Sequence, residues 1–304
     1  MQLASHTPSL HDEAWAWGLL RALARRARSG EAVQGRVGVV WDPSGRLEEV
    51  PLERAELVLE PSAEPCFHTG LRLAASVRQL FELYLPLCIG PEAKDLVVGH
   101  VGQSLDGQIA TASGASRYVT GPENIVHLHR LRSLVDAVIV GAGTVEADDP
   151  ELTTRLVPGE HPTRVVIDPT LRLSRRHKLF EDGLAPTLVV CQRGRAVQRA
   201  PGEVPVLEVP AVGSLLSVKD VLSALAERGL RRVFVEGGGV TISHFIQARC
   251  LDRLHVTICP IIIGRGRPGI SLPGVDRLEQ ALRPASRRFS LGDDVLFDCR
   301  LPPR

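Results

Sequence analysis

A glycine run beside a carboxylate is the first feature of this 304-residue chain that could do chemistry. Gly237, Gly238 and Gly239 follow a short apolar strand and precede a helix that we expect to begin near Thr241. Glycines let backbone N–H groups approach a phosphate closely, and a helix N-terminus favours an anion. The same residues would equally form a tight turn that binds nothing. Because they do not match G-x-G-x-x-G, the sequence does not predict a Rossmann fold.

Glu236 lies at the carboxyl end of the strand that leads into these glycines. Ligands of open α/β sheets collect outside the carboxyl ends of the strands, so a carboxylate there would hold hydroxyl or ring N–H groups. An acidic residue before a helix also complements the helix dipole without any ligand. Both interpretations of Glu236 remain open at this point.

A second small-residue turn runs from Gly141 to Thr144, again after an apolar strand. Asp148 and Asp149 follow it and precede Pro150. Paired carboxylates before a proline either cap a turn or bind a polar ligand. Neighbouring side chains in a turn point in different directions, so we do not interpret these two as an acid/base dyad.

Three arginines are candidates for binding phosphate, because the guanidinium fork contacts two oxygens at once. Arg132 lies on a predicted helix, Arg155 follows the Asp-Asp-Pro turn, and Arg193 follows a predicted strand. A basic residue in the position of Arg193 suits an adenosine 2′-phosphate. Each arginine, taken singly, is also typical of a solvated surface.

Alternating strands and helices would position these residues. After residue 93 we predict strands at 96–101, 137–140, 164–167, 187–191, 233–235 and 253–263, and helices at 123–134, 218–228 and 241–248. This alternation predicts an α/β domain with a mostly parallel sheet covered by helices, and antiparallel additions at 253–263 and 295–299. Residues 1–92 predict a small α+β domain, with helices at 13–28 and 71–85, the second stopping before Pro86, and strands at 37–41 and 55–59.

Composition excludes several functional classes. A formal net charge of +1 and 4% aromatic residues argue against a nucleic-acid-binding protein. No apolar run reaches the roughly 18 residues that a membrane span needs, and residues 1–12 lack the apolar core of a secretory signal. Six cysteines without a C-x-x-C pair favour reduced thiols in the cytoplasm and predict no metal site.

The order of these motifs resembles the reductase domain of riboflavin biosynthesis. Ser104-Leu105-Asp106-Gly107 is similar to its first turn, the run from Thr144 to Arg155 to its T-x-x-x-D-[DN]-P-x-L-x-x-R signature, and 235–238 to its V-E-G-G loop. The resemblance implies a fold like dihydrofolate reductase and the use of NADPH. It also implies that a phosphoribosylamino-pyrimidine is reduced to its ribitylamino product, with hydride delivered to C1′ of the ring-opened imine.

The resemblance also implies roles for individual residues. Catalytic roles fall on Glu236 and Asp148. Cofactor contacts fall on Gly102, Tyr118, Thr144, Asp148, Gly237 and the stretch from Gly238 to His244, which includes Gly239, Val240 and Thr241. Substrate contacts fall on Ser116, Arg132, Leu152, Arg155 and Glu236. We expect Arg132 and Arg155 near the substrate phosphate. His100 is a departure, because many members of the family have a lysine there. A homodimer is implied by the resemblance alone.

The first domain has only a fragment of a second signature. Glu64-Pro65-Cys66 with His68 resembles part of the E-P-C-x-H-x-G motif of the zinc deaminase that often precedes this reductase. Such a deaminase needs an H-x-E motif and a pair of cysteines, but the next cysteine is Cys88. His11-Asp12-Glu13 satisfies H-x-E far upstream. We therefore expect a degenerate remnant or an unrelated small domain, not a working deaminase.

Three functions are consistent with these patterns. The first is the pyrimidine reductase of riboflavin biosynthesis. The second is a reductase of a related pyrimidine or pterin in another pathway, which the His100 departure favours. The third is a non-catalytic nucleotide-binding protein.

Overall fold

The structure is a computed structural model, and it describes residues 11–42, 45–62, 64–116, 119–195, 204–213 and 215–302. The chain forms two compact units, Met1–Lys94 and Asp95–Arg304. The sequence predicts a boundary between residues 92 and 93. No helix within the described ranges is long and apolar enough to cross a lipid bilayer.

The first unit combines two helices with an antiparallel sheet in its described part. Its elements are α1 (Glu13–Arg28), β1 (Val37–Trp41), β2 (Leu47–Val50), β3 (Leu57–Glu60), β4 (Cys66–His68) and α2 (Ala75–Ile89). The strand order is β2-β1-β3-β4, with every pair antiparallel. Helix α1 begins where Asp12 accepts a hydrogen bond from the Trp15 N–H at 2.9 Å, and it has the bounds predicted from its apolar stripe.

The prediction that the second helix stops before Pro86 is wrong. Helix α2 continues through Pro86 to Ile89. A proline inside a helix removes one backbone hydrogen bond and usually ends or kinks the helix. Here the last turn is buried, including Leu85, Leu87 and Ile89, so packing of these side chains outweighs the lost bond.

The second unit contains thirteen strands and five α-helices in the described residues. They are β5 (Val97–Ser104), β6 (Gln108–Thr111), α3 (Pro122–Leu134), β7 (Ala137–Gly141), α4 (Ala142–Asp148), β8 (Thr163–Ile167), α5 (Lys178–Glu181), β9 (Thr187–Gln192), β10 (Val206–Val209), β11 (Ala211–Val212), β12 (Leu215–Leu216), α6 (Val218–Ala226), β13 (Val233–Glu236), α7 (Gly239–Gln247), β14 (Arg253–Cys259), β15 (Gly266–Pro268), β16 (Ala285–Leu291) and β17 (Asp294–Arg300).

The central sheet has the order β10-β9-β8-β7-β13-β5-β14-β17-β16 within the described ranges. The seven strands from β10 to β14 are mutually parallel, whereas β17 and β16 are antiparallel additions. The predicted α/β class with a mostly parallel sheet is confirmed. Two details differ, because β14 is parallel to β5 and ends at Cys259, short of the predicted residue 263.

The two faces of this sheet differ in chemistry. One face packs against α6 and α7 through an apolar cluster that includes Leu225, Ile242 and Phe245. The other face meets α3 through polar side chains, among them His127 of α3 and His255 of β14. The polar face is unusual for a buried sheet, and it adjoins the strand end that carries Glu236.

Candidate functional site

The two glycine turns predicted from the sequence meet at the carboxyl ends of the adjacent parallel strands β7 and β13. The Gly238 N–H donates a hydrogen bond to the Thr144 hydroxyl at 3.1 Å and so joins the two turns. A side chain at Gly141 would begin 2.7 Å from the Thr241 hydroxyl, which explains the glycine there. The second predicted turn continues as helix α4, which ends at Asp148 and is capped by Asp149 in a left-handed conformation.

These turns open into a cavity of about 610 Å³, a size typical of small-molecule sites. Its walls include the predicted cofactor residues Thr144, Asp148, Gly238, Gly239, Val240 and Thr241, and the predicted substrate residue Ser116. Helix α7 begins at Gly239, so the positive end of its dipole lies at this wall. The cavity therefore offers backbone N–H groups and a favourable dipole to an anionic group.

Four predicted cofactor residues are not among the described ones that line the cavity. Gly237 packs against Thr241, and Gly102 lies against Thr120 on the α3 side of the sheet. Arg193 follows β9, where its N–H donates to the Val209 carbonyl at 3.0 Å. None of these three is among the described residues that line the cavity. Tyr118 lies outside the described residues.

Two arginines that the sequence did not single out line the cavity instead. Arg172 follows β8 and forms an ion pair with Glu146 at 2.8 Å. Arg267 lies on β15, and its guanidinium covers Gly114. Neither residue belongs to a motif, so only the sheet order, which brings β8 beside β7, would have indicated Arg172.

Asp148 and its neighbours hold the loop on one side of the cavity. The Ser116 hydroxyl donates to the Asp148 carboxylate at 2.7 Å. Asp149 and Leu152 both have positive φ, at 42° and 55°. Leu152 is a bulky residue in the left-handed region and is 2% exposed, so tertiary packing must hold this strained turn in place.

Arg132 fixes Glu236 in a nearly buried ion pair. The Arg132 Nε donates to Glu236 Oε2 at 2.7 Å, and Nη2 donates to Oε1 in a second, shorter hydrogen bond. Its remaining nitrogen, Nη1, donates to the Thr153 carbonyl at 2.9 Å. The side chains are 8% and 17% exposed. Arg132 thus connects β13 to the strained turn and orients the carboxylate beside the glycines.

Arg155 is more accessible than Arg132. Its side chain is 53% exposed and contacts Glu151 at 3.0 Å. Its backbone N–H donates to His129 Nδ1 at 3.0 Å, which ties the turn to helix α3. Burial lowers the pKa of His129 to about 4, and the nearby Arg132 and Arg155 add to this effect. The imidazole is therefore neutral near pH 7 and acts as a hydrogen-bond acceptor.

A row of polar side chains crosses the α3 face of the sheet at one register level. In the backbone register, Glu236 of β13 lies opposite His100 of β5, and His100 lies opposite His255 of β14. His255 in turn lies opposite Asp298 of β17. Asn124 and Thr257 contact His100 Nε2 at 3.0 and 3.1 Å. Burial, with a smaller contribution from His255, lowers the pKa of His100 to about 3. His100 is therefore neutral near pH 7.

The Ser104-Leu105-Asp106-Gly107 motif has a structural role in the described chain. Asp106 accepts hydrogen bonds from the Ser104 hydroxyl at 2.6 Å and from the Ile263 and Gly264 N–H groups at 3.1 and 2.7 Å. These donors, the Ser104 hydroxyl first, lower the pKa of Asp106 to about 2. The predicted turn is confirmed by Gly107, which has a φ of 81°.

The deaminase-like fragment of the first unit places Cys66 and His68 together on β4. Glu60 of β3 lies opposite Cys66 and completes a group of three side chains. Among the described residues this is the one group of three or more metal-binding side chains whose ligand atoms lie within 4.8 Å of one another. His11 lies elsewhere, with its Nε2 atom 3.8 Å from Glu56.

Comparisons with known proteins concern the second unit. A family model described as "RibD C-terminal domain" matches residues 96–291. The riboflavin biosynthesis protein RibD of Aquifex aeolicus is 34% identical over 197 residues, which are 64% of this chain and 54% of that protein. The 2,5-diamino-6-ribosylamino-4(3H)-pyrimidinone 5′-phosphate reductase of Methanothermobacter thermautotrophicus is 32% identical over 210 residues, or 66% of this chain and 96% of that one.

A solved structure extends the similarity to the fold. The diaminohydroxyphosphoribosylaminopyrimidine deaminase/5-amino-6-(5-phosphoribosylamino)uracil reductase of Thermotoga maritima matches with a TM-score of 0.59 and 26% identity. The match covers 75% of this chain and 62% of that one. The chain thus spans about half the length of the Aquifex relative and nearly the whole of the archaeal one.

Proposed function

The chain belongs to the family of the RibD C-terminal domain, and from this membership we propose that it is an NADPH-dependent pyrimidine reductase of riboflavin biosynthesis. Its substrate is a phosphoribosylamino-pyrimidine, and its product is the ribitylamino compound. The observation that carries the proposal is the position of Glu236. Arg132 holds this carboxylate at the strand end that leads into the cavity wall formed by the glycine turn.

The cavity residues fit a dinucleotide phosphate. Gly238 and Gly239 bring backbone to the cavity wall at the start of α7, and Thr144 fixes the turn. Arg172 and Arg267 are the arginines of the lining, and we assign them to phosphate groups of NADPH. Arg193 remains a candidate for the 2′-phosphate. When bound, the nicotinamide supplies hydride, and the protein supplies orientation and an environment that excludes water.

The substrate side is assigned to residues around Glu236. Reduction of the ring-opened imine adds hydride to C1′ and a proton to the imine nitrogen. Glu236 would accept hydrogen bonds from the ribose hydroxyls or the ring N–H groups, in an orientation that Arg132 sets. Arg155, whose side chain is half exposed, is the better placed of the two arginines for the substrate phosphate. Catalysis here rests mainly on holding two molecules in a reactive geometry.

Turnover tests the proposal directly. Purified protein should oxidise NADPH when it is given 5-amino-6-(5-phosphoribosylamino)uracil, and it should use NADH less well. Glu236→Gln keeps the shape of the side chain but removes its charge, so it should lower turnover while NADPH still binds. Absence of turnover together with absence of NADPH-dependent thermal stabilisation would contradict the proposal and favour a non-catalytic scaffold.

A second substrate class has specific support. The Methanothermobacter relative is named for a 2,5-diamino-6-ribosylamino-pyrimidinone phosphate, and a neutral His100 lies beside Glu236 where the resemblance implies a lysine. The same assay with the diaminopyrimidinone phosphate and with a pterin separates these substrates by their kcat/KM values. A higher value for either compound would reassign the substrate and keep the reductase.

We also propose a homodimer, which the resemblance implies, and a cytoplasmic location, which the free thiols favour. None of the six cysteines, all within the described ranges, forms a disulfide. Sedimentation velocity of the purified chain tests the dimer, for which we expect one species of twice the 33.0 kDa chain mass. The first unit is a degenerate deaminase remnant in this proposal, so the chain should release no ammonia from the diaminopyrimidine substrate.

A further inference from the structure

The first unit carries three side chains whose chemistry suits a metal ion, on a hairpin that the reductase function does not use. Cys66 and His68 lie two residues apart on β4, so they project from the same face. Glu60 of β3 is the register partner of Cys66 and shares that face. Phe67 points the other way and packs against Phe81, with 5.1 Å between ring centroids. The hairpin therefore fixes the three side chains relative to one another.

The separations between the ligand atoms are close to those of a tetrahedral zinc site. Bonds of about 2.0–2.3 Å to sulfur, nitrogen and oxygen at tetrahedral angles place neighbouring ligand atoms about 3.4–3.6 Å apart. Cys66 Sγ lies 3.7 Å from Glu60 Oε2 and 3.9 Å from His68 Nε2. His68 Nε2 lies 3.4 Å from the other oxygen, Glu60 Oε1, and one ligand atom from each of the three side chains lies within 4.8 Å of the others. A rotation of the Glu60 carboxylate, with small shifts of the exposed Cys66 and His68 side chains, would bring one oxygen, the sulfur and the nitrogen onto one ion.

The positive charge of Arg36 is compatible with a metal site at Glu60. Arg36 Nε lies 3.0 Å from Glu60 Oε1, whereas the Cys66 thiol faces the other oxygen, Oε2. A carboxylate that binds a metal through one oxygen is commonly hydrogen-bonded through the other, which fixes its orientation. The metal would take the place of the thiol proton that now points at Oε2.

We propose that Glu60, Cys66 and His68 bind a zinc-class divalent cation with one coordination position left open. Thiolate, imidazole and carboxylate together favour Zn²⁺ over the hard cations Mg²⁺ and Ca²⁺. This ligand set differs from the His/Cys/Cys or Cys₃ set of zinc deaminases, and it needs no second cysteine. The site is independent of the reductase cavity and of the function proposed for it.

Cobalt provides the test, because it occupies zinc sites and reports their ligands by absorption. The full chain, stripped of metal with a chelator, should bind one Co²⁺ per chain. We expect a thiolate-to-cobalt charge-transfer band and the visible bands of tetrahedral cobalt, both removed by added Zn²⁺. Cys66→Ser should abolish the charge-transfer band, because the other five cysteines are buried.

A matched histidine pair sharpens the result. His68→Ala should weaken Co²⁺ binding at least about tenfold, since even outer-shell partners are worth roughly 10–100-fold. His11→Ala should leave binding unchanged, because His11 is also paired with a glutamate in the same unit but lies outside the cluster. A wild-type chain without the thiolate band, a band that survives Cys66→Ser, or equal binding by the two histidine variants would overturn the proposal. Reductase turnover should be the same in all these variants.

Discussion

Replacing Arg132 by methionine tests whether this arginine is the residue that orients Glu236. The change removes two hydrogen bonds to the carboxylate and one to the Thr153 carbonyl. It also leaves Glu236, 17% exposed, without its counter-ion. Breaking one partner of a buried ion pair typically costs about 3–5 kcal/mol, because the remaining charge is uncompensated. Since Glu236 retains some contact with water, we expect about 3 kcal/mol, the lower end of that range.

Urea unfolding monitored by circular dichroism measures this cost, and two further variants isolate its cause. Arg155→Met removes the other arginine near His129, whose side chain is 53% exposed, so it should cost below about 1 kcal/mol. The double variant Arg132→Met with Glu236→Gln removes the stranded charge and should recover part of the loss. Arg132→Met with no larger effect than Arg155→Met, or a double variant as unstable as the sum of its parts, would refute the reasoning.

Three other changes test the site and the polar face. Gly239→Ala should destabilise the fold by about 1–3 kcal/mol, because its Cβ would overlap the Pro268 carbonyl oxygen. The thermal midpoint of unfolding measures this effect. Gly143→Ala is the control, because a Cβ at that position meets open space. Thr144→Val removes the hydroxyl that joins the two glycine turns and should weaken NADPH binding about fivefold, or ~1 kcal/mol, in calorimetry, whereas Thr144→Ser should not. His100→Gln should flatten the loss of stability on acidification. The folded pKa of His100, about 3, lies below its ordinary 6.5, so the neutral ring contributes stability above pH 6.5 that is lost as the pH falls toward 3, by up to about 1.4 kcal/mol per pH unit; parallel pH profiles of wild type and variant would contradict this.

The alternation of strands and helices was enough to predict the α/β class, because buried parallel strands are short apolar runs whatever their order in the sheet. These runs do not indicate which strands are neighbours in the sheet. It is the order that puts β13 between β7 and β5 and so joins two glycine turns that lie far apart in the chain. Helix α2 shows where a local sequence rule fails. The proline predicts that the helix ends before Pro86, but packing of the buried last turn extends it to Ile89.

Site residues within motifs were predictable, whereas those supplied by packing were not. Thr144, Gly238 and Ser116 line the cavity as their motifs suggested. Arg172 and Arg267 reach the same cavity from segments without a motif. Similarly, Cys66 and His68 drew attention to β4, but Glu60 joins them only because the β3–β4 register places it opposite Cys66.

The polar row beneath α3 gives a physical reason for the histidine at position 100. At one end Arg132 compensates Glu236, and at the other Arg253 compensates Asp298 at 2.8 Å. A lysine at position 100 would place a buried cation next to Glu236, whose charge Arg132 already compensates, and an unpaired buried charge is costly. A neutral imidazole instead bridges the gap through Asn124 and Thr257 hydrogen bonds. A histidine at position 100 is therefore consistent with the charges that surround it.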